Sequence, residues 1–186
     1  MSLDPTRGWA YYVDEYTRGT DRLQLIRSVK DANVHVYGSK CWREGMPVED
    51  WSYYLSKQPN VTIHPPVNFD DALYLLKHSK ICLNSMPFFK NGSHERVFAS
   101  LACGCVPLTT DNVYMQEAFV AGQDLLFYEF TALEEVNGII GKYLSNPSLR
   151  DAMVASGQAK VANEHTWDKR VELALQILPN ILREIK

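Results

Sequence analysis

The side chains with the clearest chemical potential stand together in residues 88–112, FFKNGSHERVFASLACGCVPLTTDN. A polar loop around Gly92 runs into a segment with an apolar face, which opens with His94, Glu95 and Arg96. Glycine allows a backbone to approach a ligand closely, and the free N–H groups at a helix N-terminus attract anions. This loop-to-helix junction is therefore predicted to bind an anionic group.

The elements that must position this junction alternate along the chain. Strand-like segments are predicted at residues 9–16, 33–38, 60–67, 81–87, 106–110 and 124–129. Helix-like segments are predicted at 20–32, 48–58, 68–80, from His94 onward, near 114–119, over 133–144, and in two pieces after Pro147.

Such alternation with short connections predicts an α/β fold, which is Rossmann-like and doubly wound, with a mainly parallel sheet and helices on both faces. Ligands of these sheets bind beyond the carboxyl ends of the strands. Besides residues 92–96, the strand ends at Gly38, His64 and Thr110 are therefore predicted to lie on the ligand side.

Length and composition exclude several classes of protein. The 186 residues suit a single domain, 1–186, in which residues 1–3 (MSL) could derive from an expression vector. The formal net charge of -3 gives no reason to expect a nucleic-acid partner. The apolar runs are too short for a transmembrane helix, so no membrane span is predicted. The opening MSLDPTRG lacks the apolar core of a signal peptide, so a cytoplasmic location is expected.

The four cysteines are expected to be reduced thiols rather than metal ligands. They are Cys41, Cys82, Cys103 and Cys105, and Cys-Gly-Cys alone is a poor match to zinc-ligand spacing. The chain also lacks an Asp-x-Asp element that would hold a divalent ion. Neither a metal site nor a cofactor is predicted.

The motif GSHERVFASLACGCVPLTTD resembles the glycine loop, helix, Ala-Cys-Gly break and strand of group 1 glycosyltransferases with the GT-B fold. Four further segments occur along the chain in an order similar to that of the family's C-terminal, nucleotide-sugar-binding half. They are VHVYG and NVTIHPPVNFDDALYLLKHSKICLNS before this motif, and FVAGQDLLFYE and HTWDKR after it. The resemblance covers the chain from about residue 11 to its end.

The resemblance implies a donor-binding domain of a metal-independent, hexosyltransferase-type enzyme. Its partners would be a nucleotide-diphosphate sugar, an acceptor that is a glycan, lipid or protein, and a missing N-terminal GT-B domain without which it is inactive. The family's two glutamates, eight positions apart, fall here on Asn91 and Ala99. The alternative is therefore a non-catalytic nucleotide- or sugar-binding module that retains the fold.

The resemblance also assigns expected roles within the diphosphate pocket. Gly92 and Ser93 would form the loop and cap the helix, and His94 would reach a phosphate or sugar hydroxyl unless it is a solvated loop residue. Glu95 suits the helix dipole or a hydroxyl. Arg96 opposes that dipole, so it is expected to serve a bound anion or, alternatively, a salt bridge.

Overall fold

The computed structural model describes residues 8–38, 51–86, 89 and 91–184. The strands in this part are β1 (Val34–Tyr37), β2 (Val61–His64), β3 (Ile81–Asn84), β4 (Val106–Thr110) and β5 (Leu126–Tyr128). The helices are α1 (Trp9–Ser28), α2 (Trp51–Leu55), α3 (Phe69–His78), α4 (Glu95–Ala102), α5 (Val113–Ala118), α6 (Glu134–Ser145), α7 (Pro147–Glu164) and α8 (Trp167–Glu184).

All strand pairs are parallel, and helices flank the strands, which confirms the predicted fold class. The strands form two sheets rather than one: β1 pairs with β2, and β4 lies between β3 and β5. Residues from both sheets contribute to one hydrophobic cluster, which joins Val34 of β1 to Val106 and Leu108 of β4 beneath α1 and α6.

Strand β4 is the centre of the larger sheet, and all five of its residues are buried. A parallel strand covered on both faces needs apolar or hydrogen-bonded residues throughout, and VPLTT meets that need. Helix α4 packs on this sheet through Val97 and Leu101, whose side chains are almost completely buried. The apolar face noted in the sequence after Gly92 is therefore the face that covers the sheet.

Helix α3 begins where its sequence predicts. The Asn68 side chain accepts a hydrogen bond from the backbone N–H of Asp71 at 2.8 Å, as an N-cap does. Acids in the first turn and Lys77 and His78 in the last turn complement the helix dipole.

The strand predicted at residues 9–16 is wrong, because these residues form the first half of α1. Aromatic and β-branched residues favoured a strand, but Arg18 pairs with Asp14 and Glu15 at helical spacing. The helix predicted to begin at residue 20 consequently begins earlier, and Thr20 and Asp21 lie inside it.

The expectation for Cys41 falls outside the described residues. Among the described residues, Cys82, Cys103 and Cys105 are free thiols, and burial raises the pKa of Cys105 and Cys82. Over the same residues, we find no helix with the length and apolar character needed to cross a bilayer.

Two helix glycines give a matched test of the packing. A Cβ at Gly157 in α7 would lie 2.5 Å from Leu101 Cδ2 and 2.7 Å from the carbonyl oxygen of Asp124, whereas a Cβ at Gly141 in α6 would meet nothing within 4 Å. We expect Gly141→Ala to raise the free energy of unfolding by up to about 1 kcal/mol. Gly157→Ala should lower it by about 1–3 kcal/mol because of overpacking.

Urea unfolding of both variants checks this pair. Equal effects of the two substitutions would contradict the close approach of α7 to α4 and to the backbone at Asp124.

Candidate functional site

The loop between β3 and α4 is fixed by hydrogen bonds to the start of α5. Asn112 donates from Nδ2 to the carbonyl of Gly92 at 2.9 Å and accepts the N–H of Met115 at Oδ1, as the N-cap of α5. Gly92 has φ of 140°, in a region that side-chain-bearing residues rarely adopt. Asn112 thus ties Gly92 to the start of α5.

Asn91 is also engaged, since its Oδ1 accepts the N–H of Tyr114 at 2.8 Å. This residue and half-buried Ala99 are the two positions at which the resembled family carries glutamate. Neither side chain supplies a carboxylate, and Asn91 instead ties the loop to α5.

A buried polar network stands at the carboxyl ends of β3 and β4. Asn84 donates from Nδ2 to Thr109 Oγ1 at 2.9 Å and accepts at Oδ1 from Arg96 Nη1 at 3.2 Å. The Thr110 hydroxyl accepts the N–H of Met86 at 3.3 Å. The network gives Arg96 a fixed anchor on the strand side of the loop.

His94, not Ser93, is the N-cap of α4. Its Nδ1 accepts the N–H of Arg96 at 3.2 Å, whereas the Ser93 hydroxyl donates to the carbonyl of His94 at 3.3 Å. Both residues have an acceptor atom, and the extended backbone of His94 places the ring over the first turn. Burial, followed by the charge of Arg96, lowers the pKa of His94 and favours the neutral ring that the cap requires.

A second arginine, which the sequence analysis missed, joins this end of the fold. Arg22 on α1 is close enough to Arg96 and His94 for its charge to act on both. Burial, then Arg96, lowers the pKa of Arg22. Neither guanidinium forms an ion pair with a carboxylate in the part of the chain that the structure describes. Glu15 acts on Arg22 from a greater distance than an ion pair. Two cations near each other without a direct ion pair are suited to an anionic ligand.

A cavity of about 440 Å³ opens beside this cluster, at the carboxyl ends of β4 and β5. It adjoins His94 through Met86, whose Sδ accepts the N–H of His94 at 3.3 Å. Three acids line it, Asp21, Asp111 and Glu129, and Thr110 and Phe89 are also in its wall. The site therefore has a cationic side and an acidic side.

The remaining predicted residues divide between the two sheets. Thr110 lies at the cavity, whereas Gly38 follows β1 and His64 ends β2. A Cβ on Gly38 would lie 2.5 Å from Trp51 Nε1, so an indole already makes the close approach expected of a ligand. His64 stacks on Tyr37, with ring centroids 4.5 Å apart, and pairs with His35 at 2.8 Å. Their ligand contacts stay predictions.

Glu95 is exposed, and its charge acts on His94, whose pKa it raises against the larger opposing effects of burial and Arg96. Among residues 8–38, 51–86, 89 and 91–184, no group of three or more His, Cys, Asp or Glu side chains could hold a metal ion. Metal-independent chemistry stays a prediction.

Comparison with known proteins decides the family. The sequence profile described as glycosyl transferase-like matches residues 21–176, most of the chain. The chain belongs to this family. No curated protein matches this glycosyl transferase-like chain.

Solved structures show the same fold at low identity. The glycosyl transferase-like chain is similar to sucrose-phosphate synthase from Thermosynechococcus elongatus, with TM-score 0.66 and 12% identity over 89% of this chain and 42% of that one. It is also similar to HepE from Anabaena in complex with UDP-glucose, with TM-score 0.65 and 11% identity over 97% and 46% of the two chains. A glycosyltransferase from Rickettsia africae gives TM-score 0.63 and 14% identity over 88% and 44%.

These matches confirm the resemblance to group 1, GT-B glycosyltransferases. The glycosyl transferase-like chain spans less than half the length of each of these structures.

The cap on α4 gives a pH prediction. Because the folded-state pKa of His94 is lowered, the unfolded chain binds a proton at higher pH, near the ordinary value of about 6.5. The stability that neutral His94 contributes is present above that pH and is lost as the pH falls towards the lowered value. We expect His94→Asn, which keeps a cap acceptor and does not titrate, to gain stability relative to the native chain as pH falls from about 7.5 to 5.5.

Urea unfolding at several pH values measures this difference. His165 has a pKa lowered by burial and by Arg170, and it titrates in both proteins, so its contribution cancels. A difference that is constant with pH would show that His94 does not cap α4 as a neutral ring.

Proposed function

We propose that this chain binds the nucleotide-diphosphate-sugar donor of a glycosyltransferase, with the diphosphate beside Arg22, Arg96 and the start of α4. The observation that carries the proposal is the convergence of two guanidinium groups, without an ion pair among the described residues, at the carboxyl ends of parallel strands. Parallel α/β sheets bind ligands at that edge.

The first support is electrostatic. The free N–H groups of α4 carry partial positive charge, and the two arginines add full charges. A diphosphate offers several oxygens for charge-assisted hydrogen bonds to these groups. The same positive charge would stabilise the nucleoside diphosphate as it leaves during sugar transfer.

The second support is the acidic side of the cavity. Asp21, Asp111 and Glu129 are hydrogen-bond acceptors when ionised, and ribose or sugar hydroxyl groups are donors. These acids repel a phosphate and attract hydroxyl groups, so the cavity orients a nucleotide sugar with its diphosphate towards Arg96. We assign to them the hydroxyl contacts that glutamates at Asn91 and Ala99 would otherwise make.

The neighbours are consistent with this donor class, since HepE from Anabaena was solved in complex with UDP-glucose. We also propose the finer parts of the function. The enzyme transfers a hexose to an unidentified glycan, lipid or protein, and it uses neither a metal nor another cofactor. It is located in the cytoplasm and is active only together with an N-terminal half.

Helix α8 supports the need for another half. It exposes a series of large apolar side chains along its length, Trp167, Val171, Leu175 and Leu178. Their spacing places them near one face of the helix, and an exposed apolar face of this kind suits a protein partner. We propose that the acceptor-binding half of the enzyme covers it.

The alternative is a binding module without transferase activity. The replacement of both family glutamates by Asn91 and Ala99 favours it. Both functions require donor binding at the same place, so the first experiment is a binding measurement.

Isothermal titration calorimetry with uridine, guanosine and adenosine diphosphates tests the site in the native chain, Arg22→Ala, Arg96→Ala and Arg27→Ala. Arg27 lies on α1 and donates to the carbonyl of Tyr54 at 2.9 Å, so its replacement removes one charge from the same helix outside the cluster. We expect the Arg22 and Arg96 variants to bind at least one nucleotide about 10-fold to 100-fold more weakly, the equivalent of a lost charged hydrogen bond. Arg27→Ala should bind as the native chain does.

The salt dependence of binding sharpens the result. Each of the two site variants should show a weaker loss of affinity with salt than the native chain does. If no diphosphate binds, or if Arg22→Ala and Arg96→Ala bind like Arg27→Ala, the donor-site assignment is wrong.

A further inference from the structure

Helix α8 lies almost entirely in solvent, and one side chain provides its attachment to the domain. Of residues 167–179, the part of this helix whose side chains the structure describes, Arg170 alone is not exposed. Trp167 is 86% exposed and Leu175 is 65% exposed. Most of the stability of a helix in a protein comes from the packing of a buried face. The position of α8 therefore depends on the contacts of Arg170.

The guanidinium of Arg170 reaches back to three other parts of the fold. Its Nη2 donates to the hydroxyl of Tyr114 in α5 at 2.6 Å and lies 3.2 Å from Nδ1 of His165, the C-cap of α7. Its central carbon lies 5.6 Å from the ring centroid of Phe98 in α4 and 6.0 Å from that of Tyr114. Charged hydrogen bonds and cation–π contacts thus join α8 to α4, α5 and the end of α7.

The contact between Arg170 and His165 requires a neutral imidazole ring. A guanidinium has only donors, so Nδ1 accepts from Arg170 and carries no proton. The ring lies against Phe98 and Phe119, with centroids 5.2 Å and 5.0 Å away, and its Nε2 is buried without a hydrogen-bond partner among the described residues. A proton added at Nδ1 replaces the acceptor by a donor and puts a second positive charge beside the guanidinium.

The charged groups around His165 favour the same neutral state. Burial, followed by the charge of Arg170, lowers the pKa of His165, and Lys160 of α7 lowers it further. Glu164 of α7 acts in the opposite direction, but it forms an ion pair with Lys160 at 3.2 Å. From α5, the hydroxyl of Tyr114 contacts Arg170, and the contacts from α4 and from the segment after α5 are the aromatic rings named above.

We infer that Arg170 is the anchor that positions α8 on the domain, and that protonation of His165 releases it. With a neutral ring, the guanidinium holds α5 and the end of α7 together with α8. With a protonated ring, the two cations repel each other, and α8 has no other buried side chain among residues 167–179 to hold it. Because α8 carries the apolar face proposed to meet the acceptor-binding half, the direction of that face would then depend on pH.

The test is ¹⁵N relaxation of the 186-residue chain at about pH 7.5 and about pH 5.5, on either side of the ordinary pKa of histidine. We expect the backbone order parameters of residues 171–178 to fall to about 0.6 or below at the lower pH, whereas those of α7 stay near about 0.85. The midpoint of the change should coincide with the titration of His165, which is followed through the C–H resonances of its ring.

Three variants separate the parts of the anchor. His165→Asn keeps an acceptor for Arg170 but does not titrate, so α8 should stay ordered at both pH values. Arg170→Ala should leave α8 mobile at both values and raise the pKa of His165, because a neighbouring cation is removed. Lys169→Ala is the matched control, since Lys169 pairs with Glu172 at 2.8 Å on the same helix, and it should behave as the native chain does.

A fourth variant weakens the anchor without touching the histidine. Tyr114→Phe removes the hydroxyl that Arg170 contacts and keeps both the ring and the backbone N–H that Asn91 accepts. Because the anchored state is then less stable, α8 should become mobile at a higher pH than in the native chain.

Three results would overturn the inference. They are order parameters of α8 that are the same at both pH values in the native chain, a change with pH that persists in His165→Asn, and an α8 that stays ordered in Arg170→Ala. None of these measurements involves a nucleotide, so the donor-site proposal is tested separately.

Discussion

The buried amide of Asn84 is the contact on which the rest of the site depends. A buried side-chain amide is costly unless its groups find partners, and Asn84, at 1% exposure, finds them in Thr109 of β4 and Arg96 of α4. This one side chain sets the relative positions of two strands and a helix. It also holds a cation at the surface, close to the point where the free N–H groups of the helix emerge.

Residues 91 and 92 beside it are tied to α5 by a second set of amides. Asn91 and Asn112 direct their hydrogen bonds to the backbone of the loop and of α5, and Gly92 accommodates a backbone angle that other residues avoid. A preorganised loop loses little conformational entropy when a ligand binds. The resulting surface separates cations at Arg22 and Arg96 from acids in the cavity, and that polarity fits a molecule with a phosphate end and a hydroxyl-rich end.

Local signals in the sequence predicted much of this arrangement. The continuous run VPLTT predicted β4, Asn68 predicted the start of α3, and residues 92–96 were predicted to lie at one loop-to-helix junction. Local composition misled at residues 9–16, where aromatic residues suggested a strand but charged pairs at helical spacing support a helix. Ser93 was the expected cap of α4, but His94 caps it. The choice depends on loop geometry, since both side chains can accept a hydrogen bond.

Long-range features could not be predicted from the sequence in this way. Arg22 is far from Arg96 in the chain, and only the packing of α1 brings their charges together. The same holds for the separation of the two sheets, because strand order depends on which edges meet and not on the composition of any one strand. A regular spacing of strands and helices is compatible with both a continuous sheet and one with a gap.

The central claim is that the anion site lies at Asn84, the glycine loop and the two arginines. Its most direct test is a titration of ¹⁵N-labelled protein with uridine diphosphate. The NMR chemical shifts of the amide and guanidinium groups are measured at each nucleotide concentration. The account predicts shifts concentrated at the Asn84 side-chain amide, at backbone residues 92–97 and at the Nε groups of Arg22 and Arg96. Shifts confined to the ends of β1 and β2, or an unchanged spectrum at millimolar nucleotide, would contradict it.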